Sequence, residues 1–234
     1  MSKLENKWAL VTGSSRGIGR QIALGLARNQ CNVILHGRAS AHLDETLAQL
    51  AAYGVRTHVV AGDLATTEGI AAVVAGVKAS PCEGRIDILY NNAAIMNKFQ
   101  PIWEITQDEW QASFQVNLFA VVALCNAFAP GMRDRGFGRI INLTSGIKDQ
   151  PSLSPYSVTK AAIDKYSRDL STELSGCNVL VNYLDPGWLK TDLGGPEADW
   201  SVETVLPGAL VPALLKDNGP TGRLYSAQDF KYLG

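Results

Sequence analysis

Tyr156 and Lys160 stand four residues apart in Tyr156-Ser-Val-Thr-Lys160, at the start of a helical pattern. That spacing puts both side chains on one helix face, one turn apart. A free phenol titrates near ~10, too high to trade protons readily at neutral pH, and a neighbouring ammonium is expected to lower it. A phenol tuned in this way is a general acid for a carbonyl oxygen, worth ~10²–10⁴ in rate. Upstream, Asn142-Leu-Thr-Ser145-Gly146 ends an apolar strand pattern. Ligands of open α/β sheets bind at strand carboxyl ends, so the Ser145 hydroxyl should point to the same place, with Thr144 as the substitute hydroxyl. Asn117, between Val116 and Leu118 in an apolar helix, must bond buried backbone or a water.

A second constellation lies near the start of the chain. Thr12-Gly13-Ser14-Ser15-Arg16-Gly17-Ile18-Gly19 follows one strand pattern directly and opens a helix. Gly13 permits a tight turn, Gly17 lets backbone amides approach a pyrophosphate, and Gly19 lets the helix pack closely on the strand. Ser15 and Ile18 belong to the same dinucleotide-binding loop. The second strand ends in His36-Gly37-Arg38, without the carboxylate that would bond the ribose hydroxyls of NAD. Arg38 and Arg16 suit a 2′-phosphate instead, which predicts NADP(H) as the preferred cofactor and NAD(H) as the alternative.

The elements that must position these residues alternate along the whole chain. Strands are expected at Trp8–Thr12, Asn32–His36, Thr57–Ala61, Ile86–Tyr90, Arg139–Leu143, Val179–Leu184 and Arg223–Ser226, with helices near 17–29, 40–53, 67–79, 107–133, 156–175 and 202–215. Thr106-Gln-Asp-Glu109 reads as a capping box, and Ser154-Pro155 as a cap followed by a first-turn proline. Strand–helix alternation predicts right-handed crossovers: an α/β, doubly wound parallel sheet of about seven strands with helices on both faces. Residues 1–234 then form a single Rossmann-type domain that includes the substrate site.

Composition narrows the function further. With 46% hydrophobic and 18% charged residues the chain can bury a full core. A net charge of −1 leaves no electrostatic footprint for nucleic acid. The longest unbroken apolar run, Leu118 to Cys125, is far shorter than a membrane span, and the first residues lack a signal-peptide core, so a cytoplasmic protein is expected. Cys31, Cys82, Cys125 and Cys177 have no redox or zinc spacing and read as reduced thiols, and no metal site is expected.

Taken in series, these motifs resemble the short-chain dehydrogenase/reductase family over nearly the whole chain. The match comprises residues 12–19, Gly62-Asp63-Leu64, Asn91-Asn92-Ala93-Ala94, Asn117, Ser145, Tyr156-x-x-x-Lys160 and Pro186-Gly187-Trp-Leu-Lys-Thr191. The resemblance implies a tetrad. Tyr156 would be the proton donor, Ser145 would bond the substrate oxygen, Lys160 would hold the nicotinamide ribose, and Asn117 would hold a relay water. It further implies Asp63 and Leu64 beside the adenine, Asn91 and Ala93 beside the adjacent ribose, and Pro186, Gly187 and Thr191 around the nicotinamide.

The chain departs from the family pattern in places. Ser145 precedes Tyr156 by eleven residues, a shortened loop; Ala94 stands where glycine is usual; the ending around Gly219–Tyr225 resembles the carbonyl-reductase-like branch, leaving monomer and homo-oligomer both open. Ile95, Met96, Phe99, Ile147, Leu153, Trp188, Leu193 and Trp200 are expected to form an apolar wall, with Lys148 and Lys190 at its rim. That predicts NADPH-dependent reduction of an apolar or aromatic ketone or aldehyde, or the reverse. The alternatives are an NAD-dependent alcohol dehydrogenase, epimerase or dehydratase chemistry on the same fold, and a non-catalytic dinucleotide-binding protein.

Overall fold

Strands covered on both faces need aliphatic side chains in succession rather than in alternation. The runs Asn32–Gly37 and Gly138–Leu143 are buried at every position. In the computed structural model, which describes residues 4–230, they lie inside one parallel sheet. Its strands are β1 (Trp8–Val11), β2 (Asn32–Gly37), β3 (Thr57–Ala61), β4 (Ile88–Asn91), β5 (Gly138–Leu143), β6 (Val179–Asp185) and, beyond the short pair β7 (Leu189–Lys190) and β8 (Trp200–Ser201), β9 (Leu224–Ser226). The order is β3-β2-β1-β4-β5-β6-β9. The order reverses between β1 and β4, which opens a crevice at their carboxyl ends.

The helices are α1 (Gly17–Arg28), α2 (Asp44–Leu50), α3 (Thr67–Lys78), α4 (Gln107–Phe114), α5 (Ala120–Arg135) and α6 (Ser154–Glu173). Ile22 and Leu26 of α1 pack with Leu35, Tyr90 and Leu210 on one face of the sheet. Val73 of α3, Leu124 of α5 and Ile163 of α6 pack with Leu10, Leu89 and Ile140 on the other. The capping box at Thr106 and Glu109 is formed in both directions.

Three local expectations differ from the structure. The stretch 40–53 is only partly α-helical, α2 being flanked by 3-10 turns at Ser40–Leu43 and Ala51–Tyr53. Residues 202–215 form no α-helix, only the 3-10 turns Val202–Val205 and Gly208–Leu210. Pro207 and Pro212 each lack an N–H, and Leu206, ahead of Pro207, is extended at ψ 146°. Ser154 is already helical rather than the cap; its hydroxyl donates to the Pro151 carbonyl at 2.8 Å.

Candidate active site

The phosphate-type loop after β1 is braced from four sides. The Thr12 hydroxyl accepts the amides of Asn92 (2.9 Å) and Ala93 (3.0 Å), and the Asn92 amide donates to the carbonyls of Thr12 and Gly13. Thr46 and Arg20 donate to the carbonyls of Ser14 and Ser15. Gly13 and Gly17 have φ of 64° and 57°, values that favour glycine. α1 starts without a side-chain cap and without an acidic residue in its first turn, so its amides and positive end are available to an anion. Arg38 is exposed at the end of β2. Arg16 turns toward Asp192 instead, at 2.8 Å, so the two arginines expected to share a phosphate are held differently.

The fourth brace is His36, to which the sequence analysis assigned no role. Its Nδ1 accepts from the Gly13 amide at 3.1 Å and its Nε2–H donates to the Gly62 carbonyl at 3.0 Å. The Gly13 bond requires the neutral ring, whereas the Gly62 bond is made by either form; burial lowers the pKa of His36 against the opposing Gly62 bond and Asp63 charge. With the folded value below the unfolded one, this stabilisation is complete above about pH 6.5 and is lost as pH falls through the folded value. The wild-type melting temperature should therefore fall more steeply than that of His36→Gln between about pH 7 and about pH 5. Parallel curves would show that the ring does not secure the loop.

The second half of the site is gathered by β5, β6 and the first turns of α6. Ser145 lies beside Tyr156, where its hydroxyl favours the phenolate, and Ser145 Oγ accepts the Ile147 amide at 3.2 Å. Lys160 Nζ lies 5.5 Å from the Tyr156 ring centre and donates to the Leu143 carbonyl at 2.8 Å. Burial brings Lys160 down to about 8, with Asp164 pulling the other way. The expected lowering of Tyr156 is not what the structure shows. Burial raises its pKa, the Ser145 hydroxyl opposes that, and Asp185 adds to it. Desolvation of the phenolate outweighs an ammonium that is turned toward a carbonyl.

Asn117 lies in a π turn, Gln115–Phe119, that joins α4 to α5. Its side chain accepts the Ile95 amide at 2.8 Å and donates to the Ile95 carbonyl and Thr159 hydroxyl. The side chain thus clamps the loop after β4, and a relay water there would have to use backbone. Thr144 is committed to the Lys160 carbonyl and the Asp164 carboxylate, which leaves Ser145 as the hydroxyl facing Tyr156.

The remaining expected residues divide by what their side chains touch. Asp63 is exposed and accepts the Ala65 amide. The Leu64 side chain is buried in the core, so only its backbone faces the loop end of β3. The Asn91 side-chain amide points inward and donates to Asn142 Oδ1 at 2.8 Å, leaving its own Oδ1 without a partner. Ala93 packs so closely on Gly13 that a Cβ there would sit 3.0 Å away. The Pro186 ring is buried, the Gly187 amide donates to Asp185, and the Thr191 methyl lies over Gly17. Ile95, Phe99, Trp188, Leu193 and Trp200 present exposed apolar surface, whereas Leu153 is buried.

Asp164 and Asp185 were missed by the sequence analysis. A helical signal existed for Asp164, one turn beyond Lys160, but nothing in the spacing pointed to Asp185 beside Gly146. A strand-end loop carrying a braced, uncapped anion site and an adjacent Ser–Tyr–Lys cluster is what a dinucleotide-dependent oxidoreductase requires. A family model described as short chain dehydrogenase matches residues 7–201. The chain belongs to that family.

Among curated relatives, this short-chain dehydrogenase is 36% identical over 187 residues to the uncharacterized oxidoreductase YvrD of Bacillus subtilis, covering 79% of this chain and 69% of the relative. Among solved structures it resembles the promiscuous reductase LugOII, described as catalysing a keto-reduction in lugdunomycin biosynthesis, at 32% identity and TM-score 0.81 over 100% of both chains. It also resembles a Beutenbergia cavernae protein described as a candidate NAD(P)-dependent gluconate 5-dehydrogenase with NADP bound at low occupancy, at 27% identity and TM-score 0.85 over 99% of both chains. The short-chain dehydrogenase is an oxidoreductase with the seven-stranded parallel sheet of these neighbours.

Proposed function

We propose that this short-chain dehydrogenase uses NADP(H) in preference to NAD(H) to interconvert a ketone or aldehyde and its alcohol. The observation that carries the reading is the Ser145–Tyr156–Lys160 cluster beside an uncapped helix N-terminus. The residues fit a dinucleotide: the α1 amides and Gly17 would take the pyrophosphate, Arg38 and Arg16 the 2′-phosphate, and Lys160 the nicotinamide ribose. Asp63, the Leu64 backbone, the Asn91 backbone and Ala93 would flank the adenosine side, and Pro186, Gly187 and Thr191 the nicotinamide side. When bound, the nicotinamide supplies or accepts the hydride.

Ser145 donates to the substrate oxygen and holds it against Tyr156. The Tyr156 hydroxyl gives its proton to that oxygen in reduction and takes it back in oxidation. Lys160, brought to about 8 by burial, can lose and regain a proton near neutral pH, and a proton taken up from the site returns the Tyr156 phenolate to the phenol after reduction. Asn117 fixes the loop that carries Ile95. Exposed Ile95, Phe99, Trp188 and Trp200 support an apolar or aromatic carbonyl substrate, in keeping with the keto-reduction ascribed to LugOII. Four free cysteines fit the reducing cytoplasm.

The test is a paired fluorescence titration with NADPH and NADH. One charge-assisted bond to the 2′-phosphate, discounted for the exposure of Arg38, should give Arg38→Ala a roughly 10-fold loss of NADPH affinity with NADH unchanged. An Arg38→Ala protein with an unaltered NADPH/NADH ratio would remove the Arg38 contact, and the same result in Arg16→Ala would remove the argument for NADP(H).

A further inference from the structure

The segment after β6 is a small braced flap. β7 pairs in parallel with β8, Leu189 facing Trp200 and Lys190 facing Ser201. The Gly195 amide donates to the Thr191 carbonyl at 2.8 Å, the Gly194 amide to the Thr191 hydroxyl at 3.0 Å, and the Trp188 indole to the Gly194 carbonyl at 2.8 Å. These bonds fix the flap's own shape and leave Asp192 at its tip. Thr191 rests over Gly17, and Asp192 reaches back to Arg16 of the phosphate-type loop. The flap is thereby tied by charge to the residue whose guanidinium the sequence analysis directed at a 2′-phosphate.

We infer that Asp192 is a cofactor-specificity residue: in the free protein it holds Arg16, and the 2′-phosphate of NADP(H) must take that guanidinium away from it. The inference rests on the NADP(H) reading above. A phosphate dianion is the stronger partner for a guanidinium, so the exchange proceeds. It still sets the loss of the Asp192 contact against the gain, and NAD(H), lacking the 2′-phosphate, leaves the pair intact. Asp192 therefore narrows the preference that Arg38 and Arg16 create. Its carboxylate also repels the pyrophosphate, but that effect is common to both dinucleotides and cancels in the ratio of affinities.

Both partners are about two-thirds exposed or more, at 67% and 72%, so the pair is weak and salt-sensitive. Asp192→Asn in the full chain should raise the NADPH/NADH affinity ratio by roughly two- to five-fold at low salt, the range open to an exposed pair. The rise should vanish in an Arg16→Ala background, because the two substitutions act through one contact. An unchanged or lower ratio in Asp192→Asn overturns the inference, as does a rise that persists without Arg16. Arg38→Ala separates this from the cofactor reading. A collapsed ratio in Arg38→Ala beside no effect of Asp192→Asn removes Asp192 alone. A ratio raised by Asp192→Asn yet untouched by Arg38→Ala removes the Arg38 contact and keeps the Arg16–Asp192 exchange.

Discussion

Tyr156→Phe is expected to lower carbonyl-reduction turnover by ~10²–10⁴-fold, the usual contribution of a positioned general acid. The substitution deletes one oxygen, and with it the influence of Ser145 on the phenol. The ring stays where it is, since Tyr156 is 8% exposed in the first turn of α6 and Lys160 Nζ lies near its face. Dinucleotide affinity and melting temperature should therefore stay close to wild type while kcat collapses. That combination distinguishes loss of a proton donor from loss of fold. Steady-state kinetics on a panel of ketones, read beside cofactor titration, checks it. Turnover equal to wild type would exclude Tyr156 as the acid and, with it, the proposed mechanism.

The second large effect belongs to the glycine loop. Gly19→Ala should weaken dinucleotide binding by ~100-fold or more, while the protein remains folded at reduced stability. A Cβ at Gly19 would stand 2.3 Å from the Gly13 carbonyl oxygen and 2.6 Å from the Asn92 amide nitrogen. Neither can yield cheaply, because Asn92 is itself bonded to the carbonyls of Thr12 and Gly13. Either α1 moves away from β1 or the loop opens, and in both cases its amides lose their common aim. The stability cost of such overpacking is ~1–3 kcal/mol. Gly54→Ala is the control: Gly54, unlike Gly19, has a positive φ, 68°, but nothing lies near it. It should lose stability through backbone strain alone and bind NADPH as wild type does. Calorimetry and titration on the two variants separate the effects, and a Gly19→Ala protein with unchanged affinity would show that the loop does not carry the phosphates.

Much of this architecture is readable from residue order, because each of its signals is local. Continuous apolar runs mark strands covered on both faces, and the glycine trio between β1 and α1 needs only its immediate neighbours to be recognised. The capping box at Thr106 and the turn of helix from Tyr156 to Lys160 are equally short-range. The helix expected at 202–215 shows the limit of such reading. Its apolar spacing is helical, but Pro207 and Pro212 divide it into 3-10 turns that still bury Val205 and Leu210 against the sheet. Ser154 was legible as a helix-start residue, yet which of its neighbours it would bond was not.

What the tertiary structure decided concerns residues brought together from distant strands. Asn117 could be seen to need partners, but only packing of the loop after β4 against the π turn made them the Ile95 backbone and Thr159. His36 looked like a strand end until the pairing of β1 with β2 placed its ring against Gly13. Burial, not the spacing to Lys160, set the direction of the Tyr156 shift. By sequence Ser145 was favoured and Thr144 stood as its substitute; the approach of α6 to β5 committed Thr144 to Asp164 and left Ser145 to face Tyr156. Residue order alone was enough for the family and the sheet, and for naming the candidate site residues, since these follow from residue type and short spacing. The hydrogen-bond partners and the charges those side chains feel were decided by the tertiary structure, because desolvation and contact depend on residues far away along the chain.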